Sequence, residues 1–192
     1  TIKLPIVWFG VAFFFLYTGT EASVGQWSYT LFTKTRETDP NTAAFFISAY
    51  WGAFTFGRVV SGLIVRRISE HVFMRFSMVA MVVGELVMLL NINETISLLC
   101  LPLVGFAVAP MFPSMVGSTQ DRIAPEHVSN TIGFQIGAAG FGGGLILVFG
   151  TAVSGLFGLP VIFLTNLLFA IAIFILYELI HAKTRAMKQA SA

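Results

Sequence analysis

Apolar runs of about 20 residues recur along the chain, separated by short polar connections: KTRETDPN, RRISEH, NINE, QDRIAPEH and GLFG. Runs of that length match the hydrocarbon thickness of a bilayer when helical, so the pattern predicts membrane-spanning helices. Six are expected, over about 4–32, 42–65, 72–90, 96–118, 129–154 and 159–180, with a tail over 182–192. Pro40, Pro125 and Pro160 fall where the chain changes direction, as helix starts allow.

Two spans depart from the plain pattern. The first would be roughly 43 Å long as a helix, against a hydrocarbon core of about 30 Å. It is expected to tilt, bend or break, and TGTEASVG, residues 18–25, is the expected place. That stretch carries a carboxylate, Glu21, in mid-span between Gly19 and Gly25. The fourth span is interrupted by Pro110 and Pro113, each of which removes an amide donor. Each interrupted span opens a block of three, and an odd block length inverts the second block relative to the first. The fold class is therefore all-α integral membrane, six transmembrane helices as a 3+3 inverted repeat. The repeat is one of layout, with no residue-by-residue match. Interrupted helices at corresponding positions of such repeats point to a transporter's binding site.

Composition agrees with the pattern. The 192 residues are 56% hydrophobic and 10% charged, against about 25% charged in soluble domains. A net charge of +2 is too small to suggest nucleic acid as a partner. A single cysteine, Cys100, excludes a disulfide framework within the chain. The chain begins at Thr1 without a Met, which reads as a fragment whose true start is missing.

The cations then orient the spans. Lys3, Arg66, Arg67, Arg75, Arg122, Lys183, Arg185 and Lys188 fall on one side, Lys34 and Arg36 on the other, and Arg58 within a span. Cytoplasmic loops are the cation-rich ones, so a multi-pass protein with both termini cytoplasmic is expected, in a plasma or inner membrane.

Four stretches carry a family resemblance: YTGTEASVGQW, YWGAFTFGRVVSGLIVRRIS, GFAVAPMFPS and IGFQIGAAGFGGG, in that order. Together they resemble the C-terminal six-helix half of a major facilitator superfamily transporter, and within it the fucose–galactose–glucose:proton symporter family. The resemblance implies half of a twelve-helix fold, with a missing N-terminal six-helix half as partner. It implies a monosaccharide or similar small polar solute moved by alternating access, with protons as the coupling ion. One departure stands out. The superfamily's loop pattern has Gly-x-x-x-Asp-Arg, whereas Gly62 is followed by Arg66 and Arg67, so the acidic gate residue is absent.

Among single residues, Glu21 is the strongest candidate. A charge at the centre of a spanning helix costs about 2.5–3.5 kcal/mol, so it faces a water-filled cavity or a partner. It could accept hydrogen bonds from a solute or alternate its protonation; the plain alternative is a Glu that only pairs with a neighbouring helix. Tyr17 and Ser28 share its helical face. Gln26 and Trp27 suit a sugar, by amide bonding and indole stacking, and interfacial anchoring explains Trp27 equally well. Tyr50 is the better cavity candidate of the Tyr50–Trp51 pair, since its hydroxyl needs a partner. Gln135 could bond a polyhydroxyl solute or another helix. Gly133, Gly137, Gly140 and Gly144 form two GxxxG steps, read as close helix packing. Pro110 and Pro113 are read as bends. Arg58 is read as a snorkelling or gate cation, and Arg66 and Arg67 as topology and gate charges. Glu85 reads as a structural partner and Asn93-Glu94-Thr95 as a chance sequon.

The sequence holds no HExxH, GxSxG, P-loop or paired cysteines, so no enzyme, metal or cofactor is expected. The partners expected are the lipid bilayer, the missing half, a sugar-like solute and protons. Two other readings remain: a self-contained six-helix assembly protein, and a small homodimeric transporter.

Overall fold

The computed structural model describes residues 1–64 and 69–190. The Arg66 and Arg67 gate expectation lies outside the described residues. Among the described residues seven α-helices run in order: α1 Pro5–Thr35, α2 Pro40–Ile64, α3 Glu70–Leu90, α4 Glu94–Val108, α5 Met111–Gly117, α6 Pro125–Phe157 and α7 Val161–Ala190. A 3₁₀ turn, Ser118–Asp121, follows α5, and the run from α4 through that turn makes one span. Six helical segments are thus long and apolar enough to cross a membrane. The protein is an integral, multi-pass, all-helical membrane protein.

Local chemistry sets the helix ends. Asp39 Oδ2 accepts the Thr42 amide at 2.9 Å and the Thr42 hydroxyl at 3.1 Å, which starts α2. Asn93 caps α4 by accepting the Ile96 amide at 3.1 Å, so the apparent sequon serves as a helix start. Asn91 takes the left-handed conformation, φ 44°, that ends α3. Helix α7 continues to Ala190, ten residues past the expected end of the sixth span.

Helix α1 does not break. It runs unbroken through 18–25, contrary to the expected interruption. Two of the hydroxyls there find partners that leave the ladder whole, while the Thr18 hydroxyl is buried without one among the described residues. Thr20 bonds back to the Leu16 carbonyl at 2.7 Å, and Ser23 donates across to Asn166 Oδ1 on α7 at 2.7 Å. The glycines there serve contact: Gly25 receives the Trp51 ring of α2, and Gly19 lies against Ile146 and the Gly142 carbonyl of α6. The fourth span does break, between Val108 and Met111, with Pro110 buried at the joint and Pro113 in the first turn of α5.

The inverted repeat is visible in which helices pack together. Helix α1 packs on α6 and α7, and α4 packs on α2 and α3, which is the same pairing with the blocks exchanged. Backbone meets backbone at both crossings. At α1/α6, a Cβ on Gly142 would strike the Phe15 carbonyl, and one on Gly19 would approach the Gly142 carbonyl at 2.8 Å. At α4/α2, a Cβ on Gly105 would strike the Tyr50 carbonyl, and one on Gly57 would approach the Phe106 carbonyl at 3.0 Å. Without a hydrophobic drive in lipid, such close approach is what holds helices together.

The remaining faces differ in cover. In the fourth span 61% of the residues of its apolar window are buried, against 22% in α2 and α6, so α4 and α5 lie inside and α2 and α6 turn outward. Gly133, Gly137, Gly140 and Gly144 lie on the outward face of α6, with nothing within 4 Å of a Cβ built on them. Close packing within this chain therefore does not use them. It uses Gly142 and Gly150 instead, on the face buried with Gln135, Ala139 and Ile146.

Substitutions at two glycines separate these roles. Gly142→Ala should lower the stability of the purified protein by about 1–3 kcal/mol, because backbone blocks the new methyl. Gly155→Ala, with open space around it, should leave stability unchanged or raise it by up to about 1 kcal/mol. Thermal unfolding of the two variants in one detergent is the measurement.

Candidate functional site

The site is built on α1. Glu21 is the seventeenth of its 31 residues, near mid-length, and is half-buried. Polar groups around it are tied down by backbone. Because α4 stops at Val108, its last carbonyls lack intrahelical donors. One of them, Val108 O, accepts the Tyr17 hydroxyl at 3.1 Å, which joins α1 to the broken fourth span. The Tyr50 hydroxyl of α2 donates to the Glu21 carbonyl at 3.0 Å. Both tyrosines are fully buried. Tyr17, Glu21 and Tyr50 thus come together: both hydroxyls bond backbone carbonyls, and the Tyr17 hydroxyl is also in hydrogen-bonding reach of the Glu21 carboxylate.

Arg58 supplies the opposing charge. It lies on the exposed face of α2 with its guanidinium 4.3 Å from the Phe54 ring centroid, and its field reaches Glu21. A groove of about 270 Å³ opens beside it, lined by Arg58, Ser61, Glu70, Pro113, Ser114 and Ser118. Among the described residues the one ion pair within 4 Å is Arg75–Glu178, so Arg58 and Glu21 form no direct salt bridge.

The other candidates divide. Gln26 is exposed on α1. Trp27, next in sequence, turns to α6, and its indole Nε1 is buried without an acceptor 3.0 Å from where a Gly150 Cβ would stand. Gln135 is not with them. It is 3% exposed, its Oε1 accepts from the Thr119 hydroxyl at 3.2 Å, and its Nε2 lies against Gly10. Gly10 is eleven residues below Glu21, or roughly 16 Å along the helix.

Several polar residues escaped the sequence reading. Asn166, 2% exposed, accepts the Ser23 hydroxyl's hydrogen bond, and Thr119 holds Gln135. A lone Asn or Thr in an apolar run gives no pattern, so only the packing reveals them. Arg122, beyond the fourth span, donates to Ser118 Oγ and lies 3.6 Å from the Met115 sulfur. Burial pulls its guanidinium below the ordinary value, with Glu70 and Asp121 opposing that shift. At the same end, His71 and His181 stack with ring centroids 3.5 Å apart, and His71 Nδ1 lies 2.9 Å from the Tyr177 hydroxyl.

Comparison with known proteins adds to this geometry. The pattern of the Major Facilitator Superfamily matches residues 7–191. Two Helicobacter pylori proteins named "Putative glucose/galactose transporter" are 26% and 25% identical over 138 residues, 72% of this chain and 33% of each relative. The Saccharomyces cerevisiae "Bypass of stop codon protein 6" is 24% identical over 159 residues, 76% of this chain and 31% of that protein. The chain's matched stretch spans about a third of the length of these curated relatives.

The two tyrosines yield a stability test. Tyr17→Phe and Tyr50→Phe should each cost about 0.6 kcal/mol and no more than about 1.7, the range of interhelical hydrogen bonds in membranes. Thermal unfolding of the purified variants measures it, and both variants should keep a folded bundle.

Proposed function

This chain belongs to the Major Facilitator Superfamily, and we propose that it is the C-terminal six-helix half of a secondary transporter that moves a monosaccharide by alternating access with proton coupling. The observation that carries the reading is Glu21. A carboxylate at the middle of a spanning helix is costly unless it meets water or a ligand. Tyr50 spends its hydroxyl on a backbone carbonyl, and the one Tyr17 hydroxyl, bonded to the Val108 carbonyl and in hydrogen-bonding reach of the carboxylate, leaves that carboxylate with acceptor capacity to spare. The carboxylate then serves as an acceptor for solute hydroxyls. The names of the two Helicobacter pylori relatives support a hexose as the solute class.

In this reading the wall of the site is formed by Glu21 and Gln26, with Trp27 offering an indole face. Tyr17 and Tyr50 hold that wall in place, and Gln135 fastens the α1–α6 seam nearer the chain ends. An N-terminal six-helix half supplies the opposite wall and covers α2 and the glycine face of α6 formed by Gly133, Gly137, Gly140 and Gly144. Arg58 belongs to the gate, and the joint at Pro110, with Pro113 just beyond it, lets the fourth span flex. Both chain ends face the cytoplasm, from the bias of lysine and arginine.

The test uses the full-length gene product reconstituted in vesicles. Its intact mass should be about twice the 20.9 kDa of this chain; a mass near 20.9 kDa would end the half-transporter reading. Glu21→Gln should lower hexose uptake about tenfold or more, a loss of about 1.4 kcal/mol or greater, and change its pH profile. Uptake with unchanged affinity and pH profile would remove Glu21 from the site.

A further inference from the structure

Among the described residues Glu85 has no hydrogen-bonding or ionic partner. It lies on α3 with 0% exposure, and both carboxyl oxygens are buried without a hydrogen bond. The sequence reading expected a structural partner, and the described residues offer none. Its own helix face is Met78, Met81 and Met88, all buried. Next to it, Gly84 lets α4 approach so closely that a Cβ would strike Val104.

The charged and titratable groups on the packed helices are directed elsewhere, although Arg36 keeps one buried nitrogen, Nη1, without an acceptor among the described residues. On α2, the Tyr50 hydroxyl feels Glu85 but donates to the Glu21 carbonyl. On α4, the Cys100 thiol feels it as well, and Glu94 at the helix start accepts the Thr38 hydroxyl at 2.5 Å. Arg36, just after α1, donates to the Met88 carbonyl and lies over the rings of Phe32 and Phe163 at 4.7 and 4.2 Å. Toward the start of α3, Arg75 binds Glu178 of α7 through 2.7 and 2.6 Å bonds, ten residues from Glu85. His71, Tyr177 and His181 lie further still along the same seam. Helix α5 carries no ionisable side chain.

A carboxylate with neither a cation nor a donor is too costly to keep ionised inside a membrane protein, so the group takes a proton. We propose that Glu85 is a proton-binding site of the transport machinery, separate from Glu21, loaded in this conformation and emptied when the helices rearrange to admit water. The step is a simple transfer: a proton from water on one side forms the O–H bond on the carboxylate, and that bond breaks to water on the other side. Glu85 lies five residues, roughly 8 Å, from the end of α3 that is remote from both chain ends. Only about a turn and a half of helix separates it from that surface. The coupling role rests on the transport reading above; the loaded state does not.

Two measurements test it on the full-length protein in lipid vesicles. Dicyclohexylcarbodiimide, an apolar reagent that adds across its C=N bond only to a protonated carboxyl, should modify Glu85 at pH 7, mapped by mass spectrometry. Absence of the adduct at Glu85 would overturn the proposal, and this arm needs no variant to fold. In transport, Glu85→Gln should retain solute exchange without a pH gradient while losing about tenfold or more of gradient-driven accumulation. Accumulation equal to wild type would equally overturn it. If the wild-type protein moves no hexose at all, the transport reading fails while the adduct still decides whether Glu85 is loaded.

Discussion

The bundle depends on two places where backbone touches backbone. In lipid, apolar side chains gain nothing by leaving the tails for one another, so helices associate through van der Waals contact and polar bonds. Gly142 and Gly19 allow that contact between α1 and α6, and Gly105 and Gly57 allow it between α4 and α2. The two crossings are reciprocal: in each, the first helix of one block meets the second helix of the other, with a glycine on both sides. That reciprocity is the inverted repeat in physical form. It fixes the facing direction of α1, and with it the depth and surroundings of Glu21.

The outer helices α3 and α7 are fastened differently, by side chains at their ends. At one end, Arg75 grips Glu178 with two bonds while His71 stacks on His181 and meets Tyr177. At the other, Arg36 reaches α3 through the Met88 carbonyl and α7 through the Phe163 ring. Burial pulls the Arg36 guanidinium down to about 10, with Glu94 opposing the shift; it remains a cation at physiological pH. An exposed ion pair is worth about 0–1 kcal/mol and a cation–π contact about 0.5–1 kcal/mol or more. These latches add modestly to a core whose position the glycine crossings already set.

Much of this was legible in the sequence, and the limits have a physical pattern. Span number and class follow from hydropathy, which needs no knowledge of neighbours. The inward face does not. Helix α6 carries glycines on two faces, and GxxxG spacing selects Gly133, Gly137, Gly140 and Gly144, whereas the face that packs is that of Gly142 and Gly150. Nearly all-apolar surroundings give no amphipathic signal to choose between them. Glu21 stood out because one charge in an apolar run is visible at once, but whether Glu85 had a partner depended on helices distant in sequence.

The contrast between α1 and the fourth span shows where the bundle's helices are continuous and where they are interrupted. Glycine and hydroxyl content suggested weakness in α1, yet most of these features are used for cohesion: Thr20 bonds within the ladder, Ser23 crosses to Asn166, and the glycines receive Trp51 and the backbone of α6. Proline cannot be rescued this way, since it removes a donor outright. The joint at Ala109–Pro110 therefore breaks, and Val108, the last residue of α4, offers the carbonyl that Tyr17 holds, one turn from Glu21. A stiff helix carrying the carboxylate is thus tied at that turn to the one span that is already broken. Phe112, just past the joint, packs edge-on against Phe14 of α1 with ring centroids 5.1 Å apart, so the broken span meets α1 both through that hydroxyl and through ring packing.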